Sequence, residues 1–494
     1  MSLTAKILDE LTTVAIAIPI LFSSLGFYFT FIMTFLVRVV VQLLARIFRP
    51  DLKNILTALH ATFAMGHSKD KALESVVITM ILEGKLSLQE MREGAQKRIF
   101  DFAKDKNYKF PLLHHTWTFF CGYAFWIEED DFDIKNHIRD YDYEGELCIP
   151  SPCSEKEMRS VLAELFQMPY NRSRSPWEFL RVSNVNYNGK ECTGIFLRMD
   201  HALGDGYSIL EFLRTISGSN FSVPKFKMSE KKSTVLEKLG FLFKVPFDIA
   251  VNIKPALRTR GLPQLRPSLI GEEIVCISSV VNVETVNKIK NHFQVSYAAV
   301  LYAVVCGAIE RAMTRSNQNV PDGLLGGVVV PVPNHPGGMC NHVTTAAAKW
   351  PIRRTSQSKR LLEIQQDLIT LFRSTTIMAY FRANCRAGFA PTNLGRLVPL
   401  GGGLIGRLFG FGVVITNFPT TRGPDYFDGH EYLDCTVGLP TVLPCGIFVS
   451  IWGLNNQQRF NFNVRRNLFA SDEICRNLGK YAMEELQELL EATN

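Results

Sequence analysis

From Leu11 to Val37 the chain carries no charged side chain, and residues such as Ile18, Phe22, Phe29, Ile32, Phe35 and Leu36 fill these 27 positions. A bilayer core is crossed by roughly 20 apolar residues. The stretch is therefore predicted to be a retained transmembrane helix at about 11–37, within an anchor covering residues 1–50. A cleavable signal would need a basic start and a shorter apolar run, whereas Lys6 is offset here by Asp9 and Glu10. Arg38, Arg46, Arg49 and Lys53 follow. The bias of basic residues toward the cytoplasmic side then places the rest of the chain in the cytosol. The competing reading is a very apolar core helix. Pro19 and Gly26 do not separate the two, since membrane helices tolerate both.

The remaining length suffices for two large lobes. With 47% hydrophobic and 20% charged residues, the chain is neither disordered nor a polytopic transporter. Its eleven cysteines are odd in number, scattered and free of any C-x-x-C pair, which fits reduced thiols facing cytosol and suggests neither a disulfide framework nor a zinc site. The net charge of +7 is matched by one segment. Between Lys225 and Arg266 lie ten basic residues against Glu230, Glu237 and Asp248, interleaved with Phe241, Leu242, Phe243 and Phe247. Elsewhere the chain is neutral, which argues against a nucleic-acid partner. The segment reads either as an interfacial element on an anionic membrane or as a solvated linker with buried anchors. In both cases it divides a lobe at 51–224 from one at 268–494, as a basic amphipathic linker at 225–267.

Both lobes show mixed signals. Glu191 to Met199 reads as a strand, and Tyr207 to Arg214 as a helix after a glycine turn. Ser296 to Arg315 reads as a long apolar helix and Gly327 to Val332 as a buried strand. Gly446 to Trp452 and Arg459 to Val464 read as two strands joined near Asn455 and Asn456. A final helix starts after Ser471 as its N-cap.

Chemistry concentrates where the first of these strands ends, in Met199-Asp200-His201-Ala202-Leu203-Gly204-Asp205-Gly206. An imidazole with an ordinary pKa near 6.5 takes a proton from a hydroxyl at neutral pH. Asp205, four residues on, is placed to hold the turn that presents the ring, and Gly206 permits the bend into the helix. His114 and His115 are adjacent and so expected on opposite strand faces, as surface or pocket histidines. The glycines at Gly401 to Gly403 and Gly406 lack the lysine of a phosphate loop and read as a flexible or membrane-facing loop.

The surroundings of this motif resemble the wax ester synthase/diacylglycerol acyltransferase family, over about residues 70 to 490. Trp126 to His137 (WIEEDDFDIKNH) is similar to its Trp, acidic pair, Phe-Asp and His. Asn171 to Glu178 (NRSRSPWE), with Pro176 and Trp177, is similar to its Pro-Leu-Trp-Glu stretch, and the motif itself to His-His-x-x-x-Asp-Gly. Val330 to Val332 with Gly338 to Asn341, then Thr416 to Pro419 (TNFP), are similar to its later elements. Three positions depart from the pattern. Asp200 replaces the first His of the pair, the Leu between Pro176 and Trp177 is missing, and His342 stands where the family often has Asp.

The resemblance implies a eukaryotic, membrane-anchored member with the α/β, two-lobed fold of the CoA-dependent acyltransferases, an N-terminal transmembrane helix, and a tunnel between the lobes with His201 at its middle. It implies transfer of a fatty acyl group from acyl-CoA to a long-chain alcohol or diacylglycerol, with His201 as general base and Asp205 in the site. Asn341, Thr416 and Asn417 are candidates for the oxyanion donor or for positioning substrate, with Gly206, Pro176 and Trp177 as motif support. Trp177 and Pro176 are expected to pack beneath the motif. Acyl-CoA enters as a substrate, and no metal or organic cofactor is implied. The expected partners are acyl-CoA, the alcohol or diacylglycerol, and membrane lipid. The expected place is the cytosolic face of the endoplasmic reticulum or plasma membrane. Two alternatives remain: another lipophilic alcohol such as a sterol, retinol or hormone precursor, and a non-catalytic acyl-lipid-binding membrane protein.

Overall fold

The central strands are buried along nearly their whole length, as in Ser75–Glu83 and Lys190–Asp200 of one sheet and Cys445–Leu454 and Gln457–Arg465 of the other. The computed structural model describes residues 3–64, 72, 74–103, 105, 108–224, 235–258, 273–354, 356–391, 411–441 and 445–493. The flanks of the basic segment and the glycines Gly401 to Gly403 and Gly406 lie outside the described residues.

The first sheet has seven strands, running Tyr426–Phe427, His430–Gly438, Ser75–Glu83, Lys190–Asp200, Trp177–Tyr187 and Ile138–Asp140, with Cys153–Ser154 also on Trp177–Tyr187. The second also has seven: Val343–Pro351, Gly323–Pro331, Phe411–Asn417, Cys445–Leu454, Gln457–Arg465 and Glu273–Ile277, with Val281–Asn282 on Gln457–Arg465. Two strands from the second half of the chain, Tyr426–Phe427 and His430–Gly438, complete the first sheet. The division of sheets thus does not follow the sequence boundary near 267. A side-chain bond, Asn461 Nδ2 donating to the Val437 carbonyl at 2.8 Å, helps tie the two sheets together.

The predicted strands and helices form with ends shifted by a few residues; Val332 lies just beyond Gly323–Pro331. Lys190–Asp200 and Gly206–Ser217 flank the motif, and Ser296 caps Tyr297–Arg315. Asn455 and Asn456 turn the hairpin between Cys445–Leu454 and Gln457–Arg465 with φ of 56° and 62°, the left-handed pair that a two-residue hairpin requires. The C-terminal helix differs from the single one expected. Ser471 caps Asp472–Arg476, the chain breaks at Asn477, and Leu478–Glu491 follows. The strand Glu273–Ile277 causes the break: Cys276 Sγ donates to the Arg476 carbonyl and receives the Gly479 N–H. His114 and His115 also differ from a shared strand. His114 ends a short 3-10 turn with its ring 4.3 Å from Phe132, while His115 opens the strand His115–Phe120.

Two helices are long and apolar enough to cross a membrane among the described residues. Tyr297–Arg315 is buried between the second sheet and the helices Gln357–Arg373 and Leu478–Glu491, which explains an apolar surface on every side. The other is the N-terminal helix, Leu3–Phe48, longer than the 11–37 expected and continuous through Pro19.

Candidate active site

The strand Lys190–Asp200 lies between Ser75–Glu83 and Trp177–Tyr187, and its end sets the position of the motif. There the Asp200 N–H donates to the Pro176 carbonyl, and Asp200 Oδ1 accepts the Ala202 N–H at 2.8 Å. A carboxylate at this position therefore closes the turn. The His201 N–H reaches the Glu74 carbonyl at 2.8 Å, which anchors the residue while its ring projects to the seam between the lobes.

His201 is half-buried. Its ring stacks on Phe63 with centroids 4.2 Å apart, and its Nδ1 lies 3.2 Å from Asn341 Oδ1. Asn341 Nδ2 donates to the His201 carbonyl at 2.9 Å. Because a carbonyl only accepts, this bond fixes which end of the amide faces the ring. Asn341 Oδ1 then accepts from Nδ1–H, and the Nε2 lone pair is left as the basic site. Burial lowers the His201 pKa from 6.5, against the opposing pull of the Asp205 charge and the Asn341 bond. That direction favours the neutral imidazole.

Asp205 does not touch that ring. It is the N-cap of Gly206–Ser217, accepting the Ser208 N–H at 2.9 Å, and it reaches across the seam to the other lobe. The His342 N–H donates to Oδ2 at 2.7 Å, and His335 Nε2 lies 3.2 Å from both oxygens. His335 Nδ1 receives the Gly337 N–H, so its proton sits on Nε2 and points to Asp205. The Asp205 side chain is 2% exposed. Burial pushes the carboxyl upward, but bonds from His335, Ser208 and His342 outweigh it and hold the pKa below its ordinary value. Asp205 also donates its own N–H to the Cys340 carbonyl. Both neighbours of Asn341 are thereby fixed, and Asn341 is delivered to His201.

Gly206 has a packing role. A Cβ there would lie 2.3 Å from the Phe418 ring, which follows the strand Phe411–Asn417. Of the other candidates on that strand, Thr416 is buried and Asn417 Oδ1 accepts from the Tyr302 hydroxyl at 2.8 Å. Neither has a recorded bond to His201, so Asn341 is the candidate the structure brings to the ring. Cys340 is close by, with Sγ 3.5 Å from His335 Nε2, but burial and the Asp205 charge push its thiol up to about 12. A thiol held protonated in this way is a poor nucleophile.

Trp177 and the Trp126 to His137 segment form packing behind the motif strand. Trp177 stacks on His137 at 4.3 Å and donates its indole N–H to the Leu113 carbonyl at 2.9 Å. Glu129 accepts from His137 and from the Ser175 N–H. Trp177→Ala should destabilise the fold by about 3–5 kcal/mol, read by urea denaturation. An unchanged midpoint would show that the ring is not part of the core.

His60 and Phe63 have no counterpart among the sequence candidates. They sit on the short helix Ala58–Ala64, with His60 Nδ1 2.6 Å from the Ala202 carbonyl and 3.3 Å from Asn341 Nδ2. No motif marks them, because only the packing of this helix on the seam brings them to the ring.

Residues 80–234, which contain the motif and its supporting strands, match the wax ester synthase/diacylglycerol acyltransferase catalytic domain. A probable diacylglycerol O-acyltransferase, tgs3, of Mycobacterium tuberculosis is 28% identical over 101 residues, 20% of this chain. The match spans about a third of that relative's length, 34%. Among solved structures, the fold is similar to the wax ester synthase/diacylglycerol acyltransferase of Marinobacter aquaeolei VT8, with a TM-score of 0.58 and 14% identity over 89% of this chain and 100% of that one. It is also similar to TRI3 trichothecene 15-O-acetyltransferase of Fusarium sporotrichioides, with a TM-score of 0.59 and 10% identity over 88% and 95% of the two chains. The first condensation domain of the calcium-dependent antibiotic synthetase gives 0.57 and 13% over 90% and 96%. These likenesses establish the two-lobed fold of CoA-dependent acyltransferases and condensation domains.

Proposed function

We propose that this protein is an acyl-CoA-dependent O-acyltransferase that esterifies a long-chain alcohol or diacylglycerol, giving wax ester or triacylglycerol at a cytosolic membrane face. The observation that carries the reading is the half-buried His201 ring, with Nδ1 committed to Asn341 and Nε2 left as a base. In the proposed reaction Nε2 removes the hydroxyl proton as the alcohol oxygen attacks the thioester carbonyl. The tetrahedral oxyanion then collapses, the C–S bond breaks, and the imidazolium returns its proton to the CoA thiolate. Thr416 and the Asn417 amide remain the donor candidates for that oxyanion, on a strand whose next residue, Phe418, packs against the start of the motif helix.

The test is incubation of purified, lipid-reconstituted protein with labelled acyl-CoA and a mixture of fatty alcohol, diacylglycerol and sterol. Wax ester or triacylglycerol is the expected product. Sterol ester alone would redirect the acceptor assignment, and no ester with any alcohol would remove the enzymatic reading. The pH dependence has a definite sign. Since burial lowers the His201 pKa, the acid limb of kcat/KM should fall below pH 6.5, with activity retained to neutrality. Asn341→Asp places a carboxylate beside Nδ1, favours the imidazolium and should move that limb upward. A limb that stays in place would separate the ring from the titrating group.

A further inference from the structure

We propose that the N-terminal helix binds an anionic membrane surface by lying in its plane along the protein body, with both ends on the same side of the bilayer. Along this helix one narrow stripe faces inward. Thr13, Thr34, Arg38, Val41 and Ala45 are buried, at spacings of three, four or their multiples that keep one helix face on the body. The contacts run along the whole stripe. Asp9 pairs with Lys254 at 2.6 Å, and the same ammonium donates to Thr13. Arg386 donates to the Tyr28 hydroxyl, Phe31 meets Phe389 edge-on at 5.6 Å, and the Tyr123 hydroxyl donates to the Thr34 carbonyl. Arg38 donates to the carbonyls of Ile55 and Leu56.

The partner at the far end belongs to the globular body. Lys254 lies on the helix Val235–Arg258, whose Asp248 accepts from Thr375 and whose Asn252 donates to the Ala347 carbonyl in the second sheet. Asp9 and Arg38 are about 44 Å apart along a helix rising 1.5 Å per residue. A spanning helix would carry these two ends to opposite faces of a hydrocarbon core about 30 Å thick. Here both ends are held by one body whose sheets and loops could not sit in hydrocarbon.

The outward face identifies what covers it. Leu11, Ile18, Phe22, Phe29, Leu36 and Ile47 are each at least half exposed. Beside them Phe241, Leu242 and Phe243 are 43–65% exposed on the neighbouring helix, next to Lys244. Ten basic residues against three acidic ones lie in that segment of sequence, Arg46 lies in the last turn of the N-terminal helix, and Arg49 and Lys53 follow it. An apolar face flanked by cations is complementary to acyl chains beneath anionic headgroups. The position also suits delivery of a lipid, because the helix Ala58–Ala64, carrying Phe63 onto His201, follows within ten residues of Phe48.

This inference is independent of the catalytic reading, and its test does not read ester formation. Full-length protein carrying different epitope tags at its two ends is inserted into sealed vesicles with the cytosolic face outward and treated with protease. Loss of both tags without detergent is the expected result. An N-terminal tag protected until detergent is added would establish a spanning helix and overturn the proposal. In a second measurement, purified protein is mixed with phosphatidylcholine vesicles with or without phosphatidylserine. Phosphatidylserine should tighten binding, and the double variant Phe243→Glu, Lys244→Glu should weaken it about tenfold or more at an unchanged unfolding midpoint. Equal binding to both vesicle types, or a stable dimer with no vesicle affinity, would overturn it, the latter by assigning the apolar face to a second copy.

Discussion

Acyl transfer by His201→Ala is expected to fall by about 10²–10⁴-fold, the range a general base contributes, with the loss in kcat and little change in the KM for acyl-CoA. The substitution keeps the backbone bonds that hold this turn. The N–H still reaches the Glu74 carbonyl, and the carbonyl still accepts from Asn341. What disappears is the ring on Phe63 and the one nitrogen placed to move a proton. Circular dichroism should therefore show a folded protein, with ester formation measured by radiolabelled acyl-CoA. Activity within threefold of the parent would remove His201 from the chemistry. Asn341→Ala is a useful companion, since it leaves the imidazole but frees its tautomer and orientation. It should lower kcat by less than His201→Ala does.

For Asp205→Ala the expected loss is first in stability. The carboxylate is buried and receives hydrogen bonds from Ser208, His335 and His342, two of them from the opposite lobe. Removing it strands these donors away from water, at a cost of about 3–5 kcal/mol by comparison with broken buried pairs. Urea denaturation should show the loss. Activity should fall with it, because the 340–342 segment that carries Asn341 loses its attachment. Asp205→Asn separates the two effects: it retains an oxygen for the helix cap but presents an N–H toward existing donors. The folded carboxyl titrates below its ordinary 3.8. Its stabilisation is thus fully present above that pH and is lost as the pH falls through the lower, folded value. A variant as stable as the parent at neutral pH would show that the lobes do not depend on this link.

Several elements were legible before any coordinates because their signals are local. The strand Glu191 to Met199, the cap Ser471 and the Asn-Asn hairpin each depend on residues a few positions apart. The break at Asn477 was not legible, since it depends on Cys276, about 200 residues away in sequence. Likewise His60 and His335 carry no motif, and only docking of the lobes gives them partners.

The order of residues by itself determined a charge-free helix, a mixed α/β body, a basic segment in mid-chain and a His-x-x-x-Asp-Gly turn at a strand end. Backbone preference, apolar periodicity and charge act over a few residues and can be read along a line. Tertiary structure alone decided that Asp205 bonds across the seam and leaves His201 to Asn341, and that the C-terminal half completes the first sheet. It also decided which stripe of the N-terminal helix meets protein. Hydrogen bonds and packing between residues far apart in the chain exist only once both lobes have closed, so no local pattern encodes them.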